Sequence, residues 1–192
     1  MFLDLTENTN QNVYSYLVGG ISPRPIAWIS TLNSEGSANI APYSFFTVAS
    51  CKPAVLSVTQ VNPSDKTNKD TLSNLMATKE CVVNIVSQEL VEKMNQSCAN
   101  YPSDISEFDA ANIAQAPSKL VNAPSVADSK VRFECKLREV ISISNEPGGG
   151  KMMLLDVVGI CIDDEVMSGG YIDPELLNAV GKMGGDYFST TK

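Results

Sequence analysis

The chain has 192 residues, no histidine, and a formal net charge of −8 from 14 Lys and Arg against 22 Asp and Glu. Without an imidazole it cannot carry a Ser-His-Asp triad, a Cys-His pair or a histidine-ligated zinc site. The surplus of carboxylates argues against nucleic acid or an anionic membrane as a partner, because both attract basic surfaces. The composition, 43% hydrophobic and 19% charged, is typical of a globular protein, and the length predicts a single domain over residues 1–192.

The cysteines and the first residues indicate a cellular compartment. The five cysteines are scattered along the chain and form no C-x-x-C motif. The first seven residues hold two acids and no Lys or Arg, unlike the basic start of a signal peptide, and no apolar run approaches the roughly 18 residues of a membrane span. We therefore expect a cytoplasmic protein, with its cysteines reduced and buried as small hydrophobic residues.

Strand patterns dominate the first half of the chain. Runs of β-branched and aromatic residues end at clusters of Asn, Ser, Gly and Pro, which favour turns. The predicted strands are 26–32, 38–41, 43–49, 54–60 and 81–86. Between the last two, the spacing of Leu72, Leu75 and Met76 predicts a short amphipathic helix over 71–79, with Asp70 as its cap.

The second half is mixed. Helix-start signals occur at Ser87, for a helix through Met94, at Asp104 and at Asp173. The polar stretch 100–130 is predicted to fold over the domain as a long excursion. Two long strands, 131–144 and 151–162, follow on either side of a glycine-rich turn. At least six strands with only short helices predict a closed or nearly closed β-barrel.

Short motifs leave the function open when they are read one at a time. A phosphate-binding P-loop ending at Lys151 would need Ser or Thr at the next position, where the chain has Met152. The start of the predicted helix, with Lys69 and Thr71, fits either an anion site or an ordinary capped helix. The stretch 39–50 alternates aromatic and hydroxyl residues, as would suit a flat heteroaromatic ligand, although composition alone favours the core for Trp28 and Phe45.

Four blocks taken together are more specific. They are PRPIAWIST at 23–31, NIAPYSFF at 39–46, KDT at 69–71 and VVN at 82–84. In this order they resemble the flavin reductase-like, FMN-binding split-barrel family, which includes flavoredoxin-like proteins. Later segments at 106–109, 116–118, 133–136 and 184–187 also resemble that family, so the likeness covers nearly all of residues 20–187.

The resemblance implies a mainly β protein, a six-stranded Greek-key split β-barrel with short peripheral helices. It also implies a homodimer with FMN near the subunit interface. The expected function is an FMN-binding oxidoreductase that accepts hydride from NADH or NADPH onto bound FMN and passes electrons to flavin or another acceptor. The alternatives are a non-enzymatic, flavoredoxin-like electron-transfer protein with a redox partner protein, and a split barrel that has lost flavin and serves as a binding module.

The resemblance also implies which residues surround the cofactor. The phosphate would be bound by Lys69, Thr71 and the helix start, the isoalloxazine ring would lie on residues 43–47, and Arg24 would lie near the flavin or its phosphate. The full predicted set is Arg24, Ser30, Thr31, Tyr43, Ser44, Phe45, Phe46, Thr47, Ser57, Lys69, Asp70 and Thr71. No catalytic side chain and no metal site is predicted, because the flavin itself carries the reactive group.

The chain departs from the family pattern at two positions. Cys161 lies where many family members have histidine, and Asn112 lies where glycine is frequent. Both changes leave the expectation of a bound FMN in place, but they leave the identity of the substrate open.

Overall fold

The computed structural model describes residues 2–6, 12–63, 70–99, 101 and 105–191. Lys69 and Asp104 lie outside these residues. Within the described ranges, no helix has the length and apolar character needed to cross a membrane.

The described residues contain fourteen strands and five α-helices. The strands are β1 Arg24–Pro25, β2 Ala27–Leu32, β3 Ala38–Tyr43, β4 Phe46–Cys51, β5 Ala54–Val61, β6 Glu80–Ile85, β7 Gln115–Ala116, β8 Ser125–Val126, β9 Val131–Ser142, β10 Gly150–Ile162, β11 Met167–Ser168, β12 Tyr171–Ile172, β13 Gly181–Lys182 and β14 Phe188–Ser189. The helices are α1 Val13–Gly20, α2 Asp70–Thr78, α3 Val91–Gln96, α4 Glu107–Ala110 and α5 Pro174–Leu177, with 3-10 turns at Gln88–Leu90 and Asp164–Val166.

The main sheet is antiparallel and has seven strands in the order β3-β2-β6-β9-β10-β5-β4. This confirms the predicted mainly β architecture. The sheet's seven strands correspond one to one to the seven strands that local patterns predict, one more than the six-stranded barrel that the resemblance implies. The boundary between the second and third predicted strands is shifted. Strand β3 continues to Tyr43, the chain bends at Ser44 and Phe45, and β4 begins at Phe46.

The short helices differ in detail from their predictions. Asp70 is the first residue of α2 rather than its cap, and there its carboxylate lies at the positive end of the helix dipole. A 3-10 turn precedes α3, and the Ser87 hydroxyl donates to the Glu89 carboxylate rather than capping a backbone N–H. At α5 the prediction is confirmed, since the Asp173 carboxylate accepts from two backbone N–H groups of the first turn.

Two hydrophobic clusters lie on opposite faces of strand β2. Ala27 and Ile29 belong to one cluster, which fills the space between the strands. Trp28 belongs to the other, which the excursion covers with Phe108 and Val126. Side chains of neighbouring strand residues point to opposite faces, so this strand is buried on both sides.

Two buried polar side chains of the sheet bind the backbone of the excursion, residues 100–130. These contacts agree with the prediction that the excursion folds over the domain. The Asn84 carbonyl oxygen accepts from Val126 N at 2.9 Å. The buried Glu134 carboxylate accepts from the backbone N–H of Lys119 and Leu120 at 2.9 and 2.6 Å.

The cysteines only partly follow the prediction. Cys81 and Cys135 are buried and face each other across β6 and β9. Cys51 and Cys98 are exposed, so the expectation of buried cysteines is wrong for these two. Cys51 ends the edge strand β4, and Cys98 follows α3, so neither faces a core.

Candidate functional site

A cluster of hydroxyl and amide side chains joins β2, β3 and the start of α2. The Thr71 hydroxyl donates to Asn39 Oδ1 at 3.0 Å, and the Thr31 hydroxyl donates to the same oxygen at 3.3 Å. Asn74, one helical turn after Thr71, donates from Nδ2 to Thr31 Oγ1 at 3.0 Å. The structure therefore brings two predicted site residues together through Asn39.

Glu107 of helix α4 completes the cluster. Its carboxylate oxygens accept from Asn39 Nδ2 at 3.1 and 3.0 Å, and Oε2 also accepts from Ile40 N at 3.3 Å. Glu107 and Asp70 also border a cavity of about 110 Å³ beside the cluster. The excursion thus contributes directly to this site.

The electrostatics of the cluster are acidic in the part of the chain that the structure describes. Burial raises the pKa of the Glu107 carboxyl above its ordinary value. The nearby Asp70 carboxylate adds to this, while hydrogen bonds from Ile40 and Asn39 oppose it. Burial likewise raises the pKa of Tyr43, against an opposing effect of Thr71, so the phenol is neutral at physiological pH. An anionic ligand would need cations other than those described here.

A cleft of about 170 Å³ is bordered by Tyr43. It is lined by Ile26, Pro42, Tyr43, Ser44, Met94, Asn95, Cys98, Lys182 and Phe188. The Lys182 ammonium lies 4.2 Å from the centre of the Phe188 ring. A wider cleft of about 830 Å³ shares Asn95 and Phe188 with the first and is bordered by Glu92 and Asp186. The two clefts are neighbours between α3 and the last two strands, and we call them together the groove.

Arg24 connects Ser44, which lines the first cleft, to two other segments of the chain. The side chain is buried, and its Nε donates to Ser44 Oγ at 3.3 Å. Its other nitrogens donate to the carbonyls of Val18, Ile21 and Met183. Three separate segments therefore meet on one guanidinium, so Arg24 is already committed to contacts within the protein.

Ser30 is not part of the cluster, although it precedes Thr31. It is fully buried on the opposite face of β2, where its hydroxyl donates to the Pro124 carbonyl and accepts from Asn84 Nδ2. The alternation of side chains along a strand separates it from Thr31.

The other predicted residues are spread along β4 and β5. The Phe45 carbonyl accepts from the backbone of β5, and Phe46 packs against the cluster that fills the barrel. Thr47 and Ser57 lie opposite each other across the two strands, with Thr47 exposed. Ser44 alone of this group lines the first cleft beside Tyr43.

Three residues of the polar cluster were not predicted as site residues. Asn39 stands in the block NIAPYSFF, and Asn74 follows Thr71 by three positions on one helix face, so local patterns could have indicated both. No local pattern connects Glu107 to Asn39, which lies 68 positions earlier.

Cys161, which the resemblance marks as a departure from the family pattern, lies opposite Arg132 across β9 and β10. Its sulfur accepts from Arg132 Nη2 at 2.9 Å. It does not line either cleft of the groove among the described residues.

Comparison with known proteins assigns the fold and the family. Residues 19–177 match the flavin reductase like domain. An uncharacterized protein of Aquifex aeolicus is 36% identical over 183 residues, which cover 95% of this chain and 91% of that protein. The crystal structure of nitrilotriacetate monooxygenase component B from Bacillus cereus is similar, with a TM-score of 0.93, 27% identity, and coverage of 100% of this chain and 96% of the other.

A second similar structure is the 2-nitrobenzoate 2-nitroreductase NbaA of Pseudomonas fluorescens. It has a TM-score of 0.87 and 28% identity, and the match covers 100% of this chain and 92% of that one. These matches show the fold of flavin reductase-like proteins with a split-barrel domain. The chain belongs to the flavin reductase-like family, as the four sequence blocks predicted.

Proposed function

We propose that the protein is an FMN-binding oxidoreductase of the flavin reductase type, which takes hydride from NADH or NADPH onto bound FMN and passes electrons to flavin or another acceptor. In this proposal the fold is a Greek-key split barrel. The protein works in the cytoplasm as a homodimer with FMN near the subunit interface. Membership of the flavin reductase-like family supports the flavin and the oxidoreductase class.

One observation carries the choice of site, namely that Tyr43 belongs to both parts: it lines the first cleft, and its phenol interacts with Thr71 of the polar cluster. Ser44, the next residue, lines the cleft, while Thr71 and Asn39 lie in the cluster. A ligand that spans the two must have a flat apolar part joined to a hydroxyl-rich part. FMN has this division between its isoalloxazine ring and its ribityl phosphate.

The described residues fit the ring and the hydroxyl chain of FMN, but they do not supply a cation for its phosphate. The cleft offers apolar surface from Ile26, Met94 and Phe188, and the cluster offers oxygens and amides to hydroxyl groups. The first turn of α2 adds backbone N–H groups that have no partner within the helix. The cluster itself is acidic, so the phosphate requires the predicted cation Lys69.

In this proposal the protein residues bind, orient and exclude water, and the bound flavin supplies the hydride-accepting chemistry. Residues 42–44 and Phe188 would hold the ring, and Thr71 with Asn39 would hold the chain that leads to the phosphate. Arg24 acts on the site through Ser44 and Met183, whose positions it fixes. No protein side chain needs to transfer a proton for the hydride step, which agrees with the absence of histidine.

Flavin titration tests the proposal. Trp28 is the only tryptophan and is fully buried beside α3, so its fluorescence reports on a flavin bound in the neighbouring groove. We expect saturable quenching of Trp28 by FMN and a visible flavin spectrum that remains with the protein after gel filtration. Thr71→Val should weaken binding, whereas Thr78→Val should not, because the Thr78 hydroxyl bonds only to its own helix. Protein that retains no flavin and shows no quenching would contradict the proposal.

The charge around the groove favours one second candidate, the flavoredoxin-like electron carrier. Glu92 and Asp186 border the wider cleft, whereas Lys182 is the one cation among the described residues that line either cleft. This balance disfavours approach of an anionic nicotinamide dinucleotide. A carrier would bind FMN equally well but accept electrons from a partner protein.

A further inference from the structure

The last part of strand β10 has a neighbouring strand on one side only. Strand β5 pairs with β10 as far as Asp156, which lies opposite Val55. Strand β9 pairs with β10 to its end, where Ile162 lies opposite Val131. Residues 157–162, which we call the free edge, therefore have no strand beside them beyond the start of β5, within the part of the chain that the structure describes.

The free edge leaves backbone groups unpaired. Asp163, the residue after β10, donates its backbone N–H to the Lys130 carbonyl at 2.8 Å. In an antiparallel pair, alternate residues direct both their N–H and their C=O to the same neighbouring strand. Cys161 therefore also faces β9, whereas Ile160 and Ile162 direct their N–H and C=O away from it. No backbone group of the described residues pairs with them there.

The side chains of the free edge are apolar and partly exposed. Its sequence is VVGICI, which contains no charged residue and no proline. Ile160 is 56% exposed and Val158 is 38% exposed. Ile160 lies opposite Phe133, which packs partly buried against the cluster that fills the barrel, so the exposed side chain extends that core to the surface. An open edge of this composition favours pairing with a strand of another chain.

The two outer strands of the sheet are better protected. At β3, the Ser106 hydroxyl donates to the Ala38 carbonyl at 2.6 Å, so α4 covers that edge. At β4, the pairing with β5 is irregular and the strand is followed by Lys52 and Pro53. Bulges, lysines and prolines are features that keep edge strands from pairing. From Gly159 onward the free edge has none of them, and its pairing with β9 is regular.

We infer that the free edge of β10 is the surface through which two copies of this chain pair, as antiparallel strands related by a two-fold axis. Such an axis places the same uncharged segment on both sides of the contact, and Ile160 exchanges backbone hydrogen bonds with Ile162 of the partner subunit. Each copy has a net charge of −8, so repulsion between copies is lowest where the surface carries no charge. A basic partner protein would instead fit the carboxylates of Glu92 and Asp186 beside the wider cleft.

The inference rests on the homodimer of the proposed function and assigns it a surface. Amide hydrogen exchange, read residue by residue in the full-length wild-type protein, tests the pairing without a substitution. In the dimer we expect the amides of Ile160 and Ile162 to exchange about a hundredfold more slowly than exposed loop amides, and to lose this protection on dilution to monomer. The Cys161 amide faces β9 and should stay protected at both concentrations.

A wild-type dimer in which the amides of Ile160 and Ile162 exchange freely would overturn the inference and leave both the homodimer and flavin binding intact. A wild-type protein that stays monomeric at high concentration would overturn the inference and the homodimer together, and would leave a strand of another protein as the occupant. Flavin titration is independent of both results.

Sedimentation equilibrium of two lysine variants gives a second test. Ile160→Lys should weaken dimerisation by on the order of a hundredfold, because it places a charge in the centre of the contact. Ile143→Lys makes the same change in net charge at an isoleucine that is 67% exposed in the turn between β9 and β10, and it should dimerise like the wild type. An Ile160→Lys protein that folds and dimerises as tightly as Ile143→Lys would overturn the inference. If circular dichroism shows that Ile160→Lys does not fold, the exchange measurement on the wild type decides.

Discussion

The Arg24 guanidinium donates from Nε to the Ser44 hydroxyl at 3.3 Å and so connects the buried lead-in to β2 with the bend between β3 and β4. The same side chain bonds to carbonyls of α1, of the segment that follows it and of Met183 near the last strands. Arg24, which was expected to contact a flavin, thus connects the segments that would surround that flavin.

Arg24→Ala should lower the free energy of unfolding by on the order of 2–4 kcal/mol, since it leaves several carbonyls without their charged donor. Arg24→Lys should recover only part of this, because one ammonium cannot reach acceptors arranged around a planar guanidinium. Urea unfolding measures the change. Arg138→Ala is the matched control, since Arg138 is an exposed arginine paired with Asp156 and should cost less than about 1 kcal/mol. An Arg24→Ala protein as stable as the wild type would refute this role.

Lys69→Ala should weaken FMN binding by about 1.5–3 kcal/mol and leave riboflavin binding unchanged, because the lost contact is a charge-assisted bond to phosphate. Titration of both flavins separates this effect from a general disturbance of the helix. Lys79→Ala, an exposed lysine just beyond the other end of α2, serves as the control. Equal losses for FMN and riboflavin would show that Lys69 does not bind the phosphate.

Asn112 has a φ of 50°, a left-handed conformation that glycine and asparagine adopt more readily than other residues. This explains why asparagine can stand at a position where the resemblance leads us to expect glycine. Asn112→Gly should leave stability nearly unchanged, and Asn112→Val should cost about 1–2 kcal/mol. Thermal unfolding gives the comparison, with Gln115→Val in the exposed strand β7 as control. The idea fails if Asn112→Val and Gln115→Val unfold at the same temperature.

The cysteines should divide into reactive and protected groups. Exposed Cys51 and Cys98 should react rapidly with a disulfide reagent, and Cys161 more slowly. A hydrogen bond with Cys135, together with burial, raises the pKa of the Cys81 thiol well above its ordinary value. Cys81 should therefore resist labelling even at alkaline pH, since the thiolate is the reacting form. Rapid labelling of Cys81 or Cys135 in the native protein, detected by mass spectrometry, would contradict the packing described here.

Local patterns predicted most of the strands and the helix α2, because alternation and helical spacing are properties of a few consecutive residues. They also carried the family blocks that contain Thr31, Tyr43 and Thr71. The period of two along a strand could have excluded Ser30 from the same side as Thr31, had it been applied to β2.

The rest of the site depends on contacts between distant parts of the chain. Glu107 reaches Asn39 across 68 positions, and Arg24 reaches Met183 across 159. In its local sequence, Glu107 is indistinguishable from an exposed glutamate on a short helix. Arg24 is likewise indistinguishable from any arginine in an extended segment. Only the folded arrangement shows that Glu107 binds Asn39 in the polar cluster and that Arg24 connects segments beside the groove.

The most direct test of the proposed oxidoreductase is anaerobic reduction of the FMN-loaded protein by NADH or NADPH. We predict that the visible absorbance of the bound flavin is lost on addition of one of the two nucleotides and returns when air is admitted. A bound flavin whose spectrum is unchanged by either nucleotide, but which dithionite reduces, would contradict the reductase assignment and favour the electron carrier.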